Sequence, residues 1–143
     1  MDELVRSLKS LHTSLIDALQ GYEEGLKDAH GEGLAPLFAE MIALHRRDAD
    51  AISEQLKRLG AGAGDRGSWM GAFDRTVMKL SSLVTKLDDK FLPSLADGEK
   101  QVLDHYDRAI AASSPDNAEY PVLVKQREAL SEKVAAMRAG KLA

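Results

Sequence analysis

Apolar residues recur every three or four positions along almost the whole chain, and that spacing is the signature of amphipathic helices. The first stripe runs Leu4, Leu8, Leu11, Leu15, Ala18, Tyr22, Leu26 and Ala29, so a helix is expected over residues 2–30. His30-Gly31-Glu32-Gly33 then stops it, and so short a link folds the next helix back antiparallel. The second stripe, Phe38, Met41, His45, Ala49, Ile52, Leu56 and Leu59, begins near Leu34 and ends on Arg58-Leu59-Gly60. A third carries Leu95, Glu99, Val102, Tyr106, Ala109 and Ile110. After the turn cluster Ser113–Asn117, a fourth helix is expected from Asn117 or Pro121 to Arg138, with Leu123, Leu130, Val134 and Met137 inward. No alternating strand pattern interrupts this sequence.

About 32 residues separate the second and third helices. They open with a glycine-rich stretch at residues 60–68 and continue with a further helical stripe, Trp69, Phe73, Val77, Leu80, Val84 and Leu87. A crossover of that length lets the second and third helices run parallel, as in ferritin-like bundles with one long connection. The expected fold is therefore all-α: a ferritin-like antiparallel four-helix bundle with an extra helix in the crossover. A chain of 143 residues suits a single domain, residues 1–143.

Composition narrows the chemistry. With no cysteine, disulfides, thiolate metal sites and a cysteine nucleophile are excluded. Nineteen basic against 23 acidic residues, net −4, argue against a nucleic-acid partner. No apolar run approaches a membrane span, and the acidic start Met1-Asp2-Glu3-Leu4 lacks the regions of a signal peptide, so a cytoplasmic protein without a membrane partner is expected.

Four carboxylates fall at similar heights if the helices pack in that order: Glu23, Glu40, Glu99 and Glu132, with His45 about one and a half turns deeper. Carboxylates facing one another beside an imidazole would suit iron, manganese or zinc. Against this, Glu40 lies about 100° from Met41 around its helix, and Glu23 and Glu132 flank their stripes, as solvated residues do. Glu99 is different because it occupies the stripe itself, where a carboxylate needs a partner. It can be a metal ligand, or a hydrogen-bonded core group with Tyr22 or His45 as partner. The Glu-x-x-His spacing of dinuclear sites is absent, since Ala43 follows Glu40 by three, Ser131 follows Glu128 and Ala135 follows Glu132. His12 and His30 read as surface residues.

Leu34-Ala-Pro-Leu-Phe38-Ala-Glu, Gln55-Leu-Lys-Arg-Leu-Gly60, Gly67-Ser-Trp-Met-Gly71, Asp97-Gly-Glu99-Lys and Val134-Ala-Ala-Met-Arg138 together resemble a family of short bacterial ferritin-like four-helix-bundle proteins of unknown function. The likeness covers about residues 8–139. It implies a bacterial, cytoplasmic bundle linked to stress, and supplies no reaction. Family members often carry a histidine late in the fourth helix where this chain has Ser131, which weakens a metal site here. Without a complete catalytic constellation, the expectation is a non-enzymatic protein with no cofactor, acting as a homodimer or with another protein through Trp69, Met70 and Phe73. The alternative is a metal protein using Glu23, Glu40, His45, Glu99 and Glu132.

Overall fold

The computed structural model describes residues 2–28, 34–61 and 92–140. Among the described residues there are four helices and no strand: α1 (Asp2–Asp28), α2 (Leu34–Arg58), α3 (Leu92–Ala112) and α4 (Glu119–Arg138). The expected crossover helix and the glycines at 31 and 33 lie outside them.

The stripes form the core. Leu8, Leu11, Leu15, Ala18 and Tyr22 of α1 are fully enclosed, as are Phe38, Met41, Ile52 and Leu56 of α2 and Val102, Tyr106 and Ala109 of α3. Each such side chain removed from water contributes roughly 1.5–3 kcal/mol if it is as large as leucine. In α4 the buried positions are Leu123, Leu130, Val134 and Met137, with Glu119 buried in its first turn. Gln126 occupies the stripe where a further apolar residue would stand, and it is hydrogen-bonded to Tyr106 instead.

The helix ends obey backbone accounting. Gly60 has φ +79°, and the N–H groups of Gly60 and Ala61 donate to the carbonyls of Lys57 and Leu56. This left-handed closure satisfies carbonyls that the end of α2 would otherwise leave bare. Gly140, at φ +73°, closes α4 the same way, its N–H donating to Met137. Between α3 and α4, Ser114 and Asn117 bond to the backbone of the turn, and the Ser114 N–H donates to Asn117 Oδ1 at 2.6 Å.

Helix directions follow from cross-helix contacts. Tyr22 meets Glu99, whereas Arg6 and Ser10 share a cleft with His105 and Arg108, so α1 and α3 are antiparallel. Tyr106 bonds Gln126 while Arg138 pairs with Asp97, so α3 and α4 are antiparallel too. On α2 and α4, Glu40 pairs with Lys133 while Asp48 shares a groove with Val122 and Lys125, again antiparallel. It follows that α2 and α3 are parallel. α1 packs on both α2 and α3, and α3 on α4, which leaves a groove between α2 and α4.

Truncating Leu130 to alanine should cost about 2–5 kcal/mol, because a buried side chain leaves a cavity. Gln101→Ala, on the exposed side of α3, should change stability by under about 0.5 kcal/mol. Urea denaturation of both variants checks the pair.

Candidate functional site

Midway along the bundle, three polar side chains with no solvent exposure meet at one oxygen. Tyr22 Oη donates to Glu99 Oε2 at 2.7 Å, and His45 Nε2 lies 2.7 Å from the same atom. α1, α2 and α3 each supply one of the three. With Oε2 already accepting from the phenol, we assign Glu99 as a carboxylate and place a proton on His45 Nε2, so that both neighbours donate. The Tyr22 ring is held by Phe38, edge-on with centroids 5.3 Å apart, and lies nearly parallel to His45 at 5.9 Å. Burial, reinforced by the Glu99 charge, pushes the Tyr22 phenol well above its ordinary range. Tyr22 therefore remains a donor at any physiological pH.

A second polar network begins one turn along α2. Asp48 is buried near the Tyr106 hydroxyl, which donates its one hydrogen to Gln126 Oε1 at 2.9 Å. Arg47 Nε stands 3.7 Å from Asp48 Oδ1. Burial raises the Asp48 carboxyl above its ordinary value, against the lowering effects of Arg47, His45 and the Tyr106 hydroxyl. Tyr106 is raised as well, by burial first and then by the charges of Asp48 and Glu99. Glu99 and His45 are thus neighbours of a chain of polar groups, Asp48–Tyr106–Gln126, that leads outward.

It ends in the groove between α2 and α4, a space of about 480 Å³. Ala51, Val122 and Ala129 provide apolar walls, Asp48 and Gln126 polar ones, and Arg47 and Lys125 the cations. Val124, also on α4 but about 150° around the helix from the groove-lining residues, is the exposed large hydrophobic residue among the described residues, at 37%.

Of the five carboxylate and imidazole candidates, the fold brings His45 and Glu99 together. Glu23 is exposed and pairs with Arg46 Nη2 at 3.1 Å. Glu40 is exposed and pairs with Lys133, and Glu132 is exposed. Rotation about each helix axis turns these three outward. Among the described residues, no group of three or more His, Cys, Asp or Glu is arranged to hold a metal. One reading needs correction: His12 is buried, because α3 and α2 cover more of the α1 circumference than its leucine stripe marks. Asp48 was missed, although its place three residues after His45 and four before Ile52 puts it on the core side.

Glu99→Ala should destabilise the protein by about 3–5 kcal/mol, since it strands two buried donors, with chemical denaturation as the readout. Asp48→Asn tests the second network through pH. A carboxyl raised in the folded state stabilises fully below its unfolded value of 3.8, and that contribution is lost as pH rises through the folded value. Thermal melts of Asp48→Asn should therefore gain on the parent as pH is raised from about 4 toward 7, with a flatter pH dependence.

The profile of a family described as "Domain of unknown function (DUF2383)" matches residues 3–112, which take in α1 to α3 and stop before α4. No curated protein matches the chain.

Proposed function

The chain belongs to that family of unknown function, and we propose that it is a non-enzymatic, ferritin-like helical bundle that acts by pairing with a second copy of itself across the α2–α4 face. The observation that carries this reading is the contrast between the two polar regions. Tyr22, His45 and Glu99 are sealed in the core and meet at Glu99 Oε2, which suits a lock between helices and gives a substrate no approach. The α2–α4 groove, by contrast, is open and apolar-walled, with Ala51, Val122 and Ala129 along it.

A second copy fits this face by charge. Arg47, Asp50 and Glu54 follow one another at i, i+3 and i+7 on α2, and Lys125, Glu128 and Glu132 do so on α4. All six are exposed. In a two-fold contact that sets α2 antiparallel against α2 of the second copy, Arg47 of each copy meets Glu54 of the other, so the α2 stripe complements itself. The parallel α2 and α3 are what support the ferritin-like topology.

Sedimentation velocity over a wide concentration range should show a monomer–dimer equilibrium that Val122→Asp shifts at least tenfold toward monomer. A strict monomer at every concentration overturns the reading.

A metal reading has a narrower basis. Glu99 Oε1 is buried without a hydrogen-bond partner among the described residues, a hard oxygen donor beside an imidazole. Two protein donors are fewer than the four or more that such ions take, and Tyr22 holds its proton. Elemental analysis of protein purified without chelator and then incubated with iron, manganese or zinc tests it. Stoichiometric metal lost in Glu99→Gln would favour that reading.

A further inference from the structure

A second cleft, of about 250 Å³, lies between α1 and α3 and is lined by Arg6, Ser7, Ser10, His105 and Arg108. It belongs neither to the core cluster nor to the α2–α4 face. Among the described residues its lining is made of donors: two guanidinium groups, two hydroxyls and an imidazole, with no carboxylate. Neither arginine has an ion-pair partner among the described residues. Of the α3 acids beside it, Asp104 is engaged by Lys100 at 3.7 Å and Asp107 by Arg127.

The imidazole adds to this arrangement. Arg108 Nη1 stands 3.5 Å from His105 Nδ1, long for a hydrogen bond. Arginine has only donors, so Nδ1 faces it as an acceptor and the ring proton sits on Nε2. Burial, together with the Arg108 charge, holds His105 below its ordinary value, and only Asp104 opposes them. The ring is thus a neutral donor, and the positive charge of the cleft rests on the two guanidinium groups.

We propose that the α1–α3 cleft binds a phosphoryl group, either as inorganic phosphate or as the head of a small phosphate monoester, clamped between Arg6 and Arg108. Planar guanidinium forks match the edges of a tetrahedral oxyanion and hold it by paired hydrogen bonds. One fork comes from each helix, so the anion bridges α1 and α3. Ser7 and Ser10 supply neutral donors from the same face of α1, three residues apart. In a chain of net charge −4, two adjacent cations without an acid between them form a local field opposite to the whole. A dianion removes the repulsion between them, which gives binding a driving force beyond the hydrogen bonds.

Isothermal titration calorimetry with inorganic phosphate and, in a second arm, glycerol phosphate tests this at constant ionic strength. Saturable one-to-one binding is expected in at least one arm, weakened tenfold or more by Arg6→Gln and by Arg108→Gln, and unchanged by Arg58→Gln on α2. Tighter binding of glycerol phosphate would identify the monoester as the source. The histidine resonance of His105 should shift on saturation, which reports the cleft directly. Both arginines are exposed, so the variants should fold, and matched thermal melts verify that. Binding that survives both substitutions, or no saturable binding in either arm, overturns the proposal. Neither result bears on dimer formation at the α2–α4 face.

Discussion

One carboxylate at the centre of the bundle constrains everything around it. Glu99 is fully buried, and a charge taken out of water is tolerated only where hydrogen bonds replace the lost solvation. Its two donors come from different helices, Tyr22 from α1 and His45 from α2, while Glu99 itself is on α3. Leucine stripes alone leave a helix free to slide by a turn at modest cost, because one apolar contact substitutes for another. A 2.7 Å hydrogen bond has no such substitute. Sliding α1 by one turn would carry the Tyr22 hydroxyl about 5.4 Å away and strand the carboxylate. The cluster therefore specifies register where the hydrophobic effect supplies bulk stability.

The polar groups extend beyond that lock in an ordered way. His45 and Asp48 are a turn apart on α2, so the same helix face that closes the first network opens the second. Asp48 lies near Tyr106 of α3, and Tyr106 is bonded to Gln126 of α4. All four helices are thereby joined by side-chain hydrogen bonds through two adjacent layers. The outer layer borders the α2–α4 groove, where Asp48 meets Arg47. Polarity in this bundle is graded from sealed at Glu99 to partly accessible at Asp48, and the raised Asp48 carboxyl reflects its position between the two.

Much of the fold was legible because a single rule, burial at every third or fourth residue, operates on all four helices. Leu4 through Tyr22 could be placed facing inward before any partner was known, and so could Glu99, since position on a stripe does not depend on residue chemistry. The possible partners of Glu99 were named for the same reason: Tyr22 and His45 also lie on stripes. Which oxygen they share was not legible, because it depends on rotation and rise of three helices relative to one another. Height arithmetic could not fix the azimuth of Glu23, Glu40 and Glu132, and cross-helix pairing with Arg46 and Lys133 draws the first two to the surface. Asp48 and His12 escaped notice because a stripe drawn through the largest apolar residues is narrower than the face that packing covers.

Net charge hides a division among the cations. Arg46, Arg127, Lys133 and Arg138 each reach an acid on another helix and act as cross-ties at the bundle surface. Such exposed pairs are individually worth less than about 1 kcal/mol, so their effect is chiefly to cancel local fields. Arg6 and Arg108 face each other across α1 and α3 without that cancellation. An acidic chain has carboxylates in excess, and placing one between these two arginines would remove their repulsion, as it does at the four cross-ties. Among the described lining residues serine and histidine stand there instead, all able to donate, which is the surface an external anion would suit.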